Sequence, residues 1–402
     1  MATLLVDHVN KRVKDTSKQR PLFGQTALAA RLYAASYAGS VTSLDFSRPD
    51  GLSTVSQTTD CGSSPSWLML DSPNSVLYCL DEALEASNGT ITTLRTHPNG
   101  TLTKIAHLKT LAGPVMSAMY SAPGIPKRKF FAVAHYTGSS ITTYSVDPVQ
   151  GLFEHAQTFT YHMAAPGPVA SRQDSPHPHG VVVDPTGRFV LVPDLGADVV
   201  RIFHVNPSTA HLEPMEPLVL NPGSGPRHGV FWTPRGSNST SSDVYFYLVQ
   251  ELSSGLSGFR VTYPGNGISF HKIYEGSTYG NGSSPAGSKA AEIAISPENN
   301  HIVVSNRLDN TFGLKKDSFA VFLCADTIGK RFEKVSFLGL YPAHGSSPRH
   351  FSIASTQNLV AVALESSQSV AVARWDKRVG APGVLLGEKK MDGDIPSVAW
   401  DL

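Results

Sequence analysis

The sequence predicts an all-β fold, a seven-bladed β-propeller closed by the C-terminal strand joining the first blade. Three observations predict it. A unit of strand, Pro-x-Gly turn, strand, polar tip and strand recurs along the chain, most plainly in residues 176–203, "PHPHGVVVDPTGRFVLVPDLGADVVRIF". Successive units start roughly 50 residues apart, the spacing of propeller blades. The last unit lacks a second strand, and the first strand-like run lacks an opening strand.

The opening strands begin at Pro65, Pro114, His177, Pro226, Ala291, Pro348 and Pro396, which makes seven. After a Pro/Asn/Gly turn, six of them lead into a second β-rich run, starting at Val76, Phe130, Phe189, Tyr245, Ile302 and Leu359. Third runs follow, such as those from Ile141, Val199 and Val370. Apolar alternation and β-branched side chains mark them as strands. Pro396–Leu402 has no second strand after it, and "LYAASY" from Leu32 has no start before it. Closure of the ring through these two segments removes an exposed sheet edge. The Gly/Ser-rich stretches Gly236–Ser242 and Gly276–Ser288 fall between strands and read as loops.

The chain has 402 residues, 41% of them apolar and 16% charged, which is too much for one ordinary two-layer domain. No break interrupts the rhythm, so residues 31–402 are expected to form a single propeller, preceded by a lead-in at 1–30, extended or helical. A net charge of +1 from 33 basic and 32 acidic residues argues against a nucleic-acid groove or a membrane patch. No apolar run approaches the ~20 residues of a membrane span. The lead-in carries Lys11, Arg12, Lys14, Lys18 and Arg20 without an apolar core, unlike a secretory signal. Cys61, Cys79 and Cys324 lack metal-like spacing and cannot all pair. No disulfide framework is expected, which points to a reducing compartment and a cytoplasmic location. Four Asn-x-Ser/Thr triplets, at Asn88, Asn99, Asn238 and Asn281, weigh little in a chain so rich in Gly, Ser and Asn. No particular oligomer is predicted.

Within a blade, the start of the innermost strand and the end of the second lie at one face, near the central channel. Strand-one starts supply His177, His179, Arg227, His228, Arg349 and His350. Strand-two ends supply Tyr37, Glu82, Tyr136, Asp194, Glu251, Arg307 and Glu365. Buried charge is expensive unless paired, so this ring either stitches neighbouring blades together or forms an anion site with acid–base groups. His179, Arg227, Glu251 and Arg307 come from three consecutive blades. Guanidiniums there can grip carboxylates in a bidentate way, with His and Glu at hand to move protons. His177 reads as rim. His228 follows Arg227 and is expected on the opposite strand face, packed between blades. Asp194 and Asp198 read as turn caps, Glu292 and Glu365 as further carboxylates, and Trp67, Trp232 and Trp400 as inter-blade core. There is no nucleophile elbow, phosphate loop or H-E-x-x-H. The pair His177 and His179 is poor evidence for a metal, and no cofactor is expected.

"SPHPHGVVVDPTGRFVLVPDLGADVVRIF", "GSGPRHGVFWTP", "YLVQELSSGLSGF" and "EIAISPENNHIVVSNR" resemble the lactonase-type seven-bladed propellers. That family includes propeller-type 6-phosphogluconolactonases and the fungal carboxy-cis,cis-muconate cyclases. The resemblance runs from about Leu32 to Leu402, and "LYAASYAGSVTSL" is similar to fungal members. In the cyclase branch it implies a site of one His, two Arg and one Glu, falling here on His179, Arg227, Arg307 and Glu251. The loop in "SNRLDNTFGLKKDSFAVF" is longer than in the phosphogluconolactonase type.

The function so implied is lactone chemistry on a small carboxylate or lactone substrate, without metal. In a cyclase, Arg227 and Arg307 would bind carboxylates and His179 or Glu251 would supply a proton, with His177, Tyr136, Arg349 and Glu365 completing the binding surface. The alternatives are lactone hydrolysis of the 6-phosphogluconolactonase type, a repurposed cyclase or isomerase of fungal secondary metabolism, and a non-catalytic binding propeller.

Overall fold

The computed structural model describes residues 30–147, 149–236, 243–325 and 330–402. Seven four-stranded antiparallel sheets stand around one axis, and among the described residues the helical structure is a single 3-10 turn, Ser72–Asn74. In blade one the innermost strand is the C-terminal Ser397–Asp401, paired with Ala30–Ser36 through Arg31↔Asp401 to Ala35↔Ser397. The predicted closure is therefore present. The lead-in, all but one residue of it, lies outside the described residues, as do positions 237–242 of the Gly236–Ser242 loop and the triplet at Asn238. The stretch between strands Ser269–Ser277 and Lys289–Ile295 is the expected loop.

Second strands such as Phe189–Asp194, Val244–Gln250 and Leu359–Leu364 are buried along their whole length, because both faces pack against neighbouring blades. Outer strands such as Leu102–Lys109 alternate with solvent. Seven apolar clusters result, one at each interface between adjacent blades. Seven interfaces for seven blades means that the ring has no open edge. Trp232 and Trp400 sit in two of these clusters, as the sequence suggests. The Pro-x-Gly turn after the blade-four inner strand is held by Asp184. Its carboxylate accepts hydrogen bonds from the backbone N–H groups of Phe189 and Thr186, and Gly187 takes the left-handed φ of +67°.

Three expectations need correction. Cys61 and Cys79 form a disulfide with Cα atoms 6.0 Å apart, leaving Cys324 free and buried. The two are 18 residues apart, and only the packing of blade two against blade one brings them together. The cysteine argument for a reducing compartment falls with this. The second correction concerns the alternation of the inner strands, which a β-bulge breaks near the start in several blades. Register shifts occur between Pro65 and Trp67, Pro226 and His228, and Pro348 and His350. A bulge re-aims a side chain. His228 accordingly turns into the channel rather than between blades, and Trp67, packed against the cluster between blades two and three as expected, also meets His228 and His350 across the axis, with ring centroids 5.9 and 4.9 Å away. Third, the blade-four inner strand is regular only at Val182–Val183. Pro176 and Pro178 lack the N–H a ladder needs, leaving an isolated bridge between Pro178 and Asp194.

Candidate functional site

A repeated hydrogen bond builds the channel mouth. The residue just after the second strand donates its backbone N–H to the carbonyl that precedes the inner strand: Tyr37 to Asp394, Glu82 to Ser64, Tyr136 to Gly113, Leu195 to His177, Glu251 to Gly225 and Glu365 to Ser347. This bond points equivalent side chains of successive blades at one place. Blade six departs from it. Its inner strand starts at Lys289, which pairs directly across the ladder with Arg307.

The side chains enclose a cavity of about 410 Å³, walled by His179, Tyr136, Glu251, Arg307, Arg349 and Glu365 among the anticipated residues. Glu82, also anticipated as a strand-two end, lines it too, as do Arg172, Lys289, Leu308 and Asp394. Glu251, 1% exposed, is the hub. Its carboxylate meets Arg172 Nη2 at 2.7 Å, Arg307 Nη2 at 2.9 Å and Arg227 Nε at 3.0 Å. Burial alone would raise its pKa, but Arg307, Arg172 and Arg227 hold it well below the usual carboxylate range. Glu365 joins Arg349 at 3.0 Å and Arg307 at 3.7 Å. Burial opposes its charge, and Arg349 with Arg307 outweighs that, so its pKa too is lowered. On the far side Glu82 accepts a hydrogen bond from the Tyr37 hydroxyl at 2.8 Å. Burial raises the Glu82 pKa, offset in part by Arg349.

His179 is buried edge-to-face beside Tyr136 and His228, with ring centroids 5.6 and 5.1 Å away. Gly180 makes this approach possible, since a Cβ there would stand 2.6 Å from the Arg227 carbonyl oxygen. Burial, reinforced by Arg227 and His228, keeps the His179 pKa well below the ordinary imidazole value. The ring is therefore neutral near pH 7, and its Nδ1 is buried without a hydrogen-bond partner.

Two anticipated residues sit behind the wall. Arg227, 2% exposed, is spent on Glu251 and on the Ala291 carbonyl, to which Nη1 donates at 2.7 Å. Burial first and Arg307 second push its pKa down to about 9. His177 stacks on Tyr136 at 4.1 Å, and its Nδ1 is 2.8 Å from the Tyr136 carbonyl. Asp194 caps the backbone N–H groups of His177 and Ala197, and Asp198 those of Gly223 and Gly225.

One step further along the inner strands a second cluster fills the channel. His228 Nδ1 lies 3.0 Å from Glu292 Oε2, and His350 Nε2 lies 3.7 Å from the same oxygen. Burial, offset in part by Glu292, pushes the His228 pKa down to about 4. Burial would raise Glu292, but His228 outweighs it and the value is about 2. Among the described residues no set of three or more His, Cys, Asp or Glu side chains is disposed to hold a metal ion.

Sequence reasoning missed Arg172 and Lys289. Arg172 belongs to no blade. It rides on the loop before blade four, which the fully buried Gln173 pins by donating to the Leu195 carbonyl and accepting from Val169 N–H. From there it donates to the Tyr136 hydroxyl at 3.2 Å. Lys289 was hidden by an alignment that began the sixth blade two residues late. After Arg307 the chain turns through Leu308, a non-glycine residue at φ +59°. Buried Asp317 holds this bend by accepting from the N–H groups of Leu308, Asp309 and Asn310.

Comparison with known proteins places this architecture. Residues 31–394 match the family described as "Lactonase, 7-bladed beta-propeller". A protein of Arthroderma benhamiae named "Probable 6-phosphogluconolactonase" is 30% identical over 348 residues, 87% of this chain and 83% of that one. The 6-phosphogluconolactonase of Formosa agariphila is 26% identical over 353 residues, 87% and 92% of the two chains. Among solved structures, the periplasmic gluconolactonase of Pseudomonas aeruginosa superposes with a TM-score of 0.72 at 23% identity, covering 92% of this chain and 99% of that one.

Proposed function

The chain belongs to the seven-bladed β-propeller lactonase family, and from that premise we propose that it hydrolyses a lactone in the cavity at the channel mouth. One observation carries this reading. A neutral imidazole, His179, shares a cavity with the guanidiniums of Arg172, Arg307 and Arg349. That set supplies a proton acceptor and fixed positive charge, the two things acyl transfer to water requires.

In the proposed reaction His179 takes a proton from water as its oxygen attacks the lactone carbonyl. The carbonyl oxygen gains negative charge, and the guanidiniums facing the cavity stabilise it. Collapse of the tetrahedral intermediate breaks the ring C–O bond. The leaving alkoxide takes the proton from the imidazolium, giving a hydroxy acid and restoring neutral His179. The burial and cationic surroundings that depress the His179 pKa also make its protonated form a strong acid, suited to that second transfer. Glu251 is a poor candidate for either transfer, because three guanidiniums hold it ionised and occupy its oxygens. Its role is to position Arg172 and Arg307.

The cyclase direction draws less support. It calls on Arg227 and Arg307 to receive two substrate carboxylates, whereas Arg227 lies behind Glu251 and off the cavity wall. The names of the relatives also favour hydrolysis.

The test is hydrolysis of glucono-δ-lactone and its 6-phosphate, followed by proton release. His179→Ala should lower kcat by about 10²- to 10⁴-fold, the range of general-base catalysis. Arg307→Ala should cost about 10²- to 10³-fold. Undiminished turnover in both variants would remove these residues from the mechanism. Failure of the wild type to open either lactone would reject the reaction itself.

A further inference from the structure

The cations on the cavity wall are not equivalent. Arg172 is committed to Glu251, Arg307 to Glu251 and Glu365, and Arg349 to Glu365. The Lys289 side chain lines the same cavity, partly buried, and has no hydrogen-bond or ion-pair contact among the described residues, Glu251 and Glu365 acting on its charge only from further off. It also stands directly across the ladder from Arg307. Like charges opposite one another on a strand pair are destabilising, and a partly desolvated ammonium without a partner is costly. Both costs fall if a ligand brings negative charge to that point.

Charge around the cavity is mostly paired within it: Arg172 and Arg307 flank Glu251 on the side of blades four to six, and Arg349 sits by Glu365 and near Glu82 on the side of blades seven, one and two, where Asp394 also lines the wall. The cation that this pairing leaves over is Lys289, so an anionic group on a ligand meets its complement at blade six, with Glu82 and Asp394 on the wall to accept from ligand hydroxyls.

We propose that Lys289 is the specificity-determining anchor for an anionic substituent, a phosphate or a carboxylate, on the lactone. The assignment rests on the lactonase reading of the same cavity and adds which residue selects the substrate's charge. The field supports it from a second direction. Burial and the neighbouring Arg172 pull the Lys289 pKa down, and an arriving anion would restore it, so binding is tied to the charge the ligand carries.

The experiment compares wild type, Lys289→Gln and Lys289→Arg on glucono-δ-lactone and its 6-phosphate, with inorganic phosphate as a binding probe in calorimetry. A charge-assisted contact of ordinary strength corresponds to about 10- to 100-fold. The ratio of kcat/KM for the phosphorylated over the neutral lactone should fall by about that factor in Lys289→Gln, through KM rather than kcat, and Lys289→Arg should recover most of it. Phosphate affinity should fall in parallel. Thermal stability should hold or rise in Lys289→Gln, because a charge without a partner is removed, whereas a structural lysine would lower it. An unaltered ratio, or equal losses on both lactones, overturns the anchor. If the wild type opens neither lactone, the hydrolytic reading fails separately. The phosphate titration then decides: weaker binding in Lys289→Gln sustains the anchor, and equal binding in wild type and variant refutes it.

Discussion

The channel holds two clusters built from the same residue types, one at its mouth and one a single step further along the inner strands. At the mouth, Glu251 gathers Arg172, Arg227 and Arg307 beside an open cavity. Below it, Glu292 faces His228 and His350 with Trp67 packed against both rings, and none of the four lines the cavity. Paired charge is common to the two, so pairing does not mark function. Access does. The mouth has one cation left over and one imidazole turned to a space a ligand can enter, while the lower cluster is closed on itself. It ties blades two, five, six and seven across the axis. Composition alone would have ranked the two equally.

The largest test of this contrast is Glu251→Gln. It leaves three guanidiniums around a neutral group, and breaking a buried pair costs about 3–5 kcal/mol. Chemical denaturation should show a loss of that size, together with loss of lactone turnover as Arg172 and Arg307 lose their shared anchor. Wild-type stability in this variant would mean that the hub contributes nothing to the fold. Glu292→Leu should sharpen the comparison from below. Leaving the buried His228 N–H and the Ile293 N–H without their acceptor costs about 1–3 kcal/mol, with KM for the lactone little changed. A variant of undiminished stability whose turnover collapses would transfer the lower cluster to the catalytic side.

The smallest expected effect is on the pH dependence of stability. His228 faces Glu292, His179, His350, Arg227 and Trp67, and its folded pKa of about 4 lies below the ~6.5 of an unfolded imidazole. As pH falls from about 6.5 toward 4, the unfolded chain binds a proton that the folded chain refuses. Stability is therefore lost on the acid side, by at most about 3 kcal/mol from this group. Glu292 acts in the same direction at lower pH. Its lowered pKa contributes stability that is complete above about 4.5 and is lost as pH falls toward 2. Between pH 6.5 and 4.5 the imidazole alone sets the slope from this pair. His228→Gln should flatten the fall of the thermal midpoint over that interval, and an identical slope would show that His228 is not held neutral.

The parts legible in the sequence were those that the repeat carries. Glu251, Glu365 and Tyr136 each follow a second strand, so aligning the blades was enough to send them to one face. Arg172 was illegible because its loop belongs to no blade, and nothing local says that Gln173 would fold it over Tyr136 and Glu251. Strict alternation placed His228 on the wrong face, because a bulge is a two-strand event that one strand's pattern does not record. The Cys61–Cys79 bridge likewise depends on a meeting of segments that spacing does not encode.

By itself, then, the amino-acid order determined the number of blades, the closure of the ring by Ser397–Asp401 and the polar residues that follow the second strands toward the axis. These follow from a period of two within strands and a period of about one blade between them, both local properties. Only the tertiary structure decided which guanidinium is spent, which lysine is left unpaired, and where the channel is open. Pairing and burial are relations between residues far apart in the chain. Arg227 and Lys289 reach the axis by the same kind of strand and differ only in what the neighbouring blades place beside them.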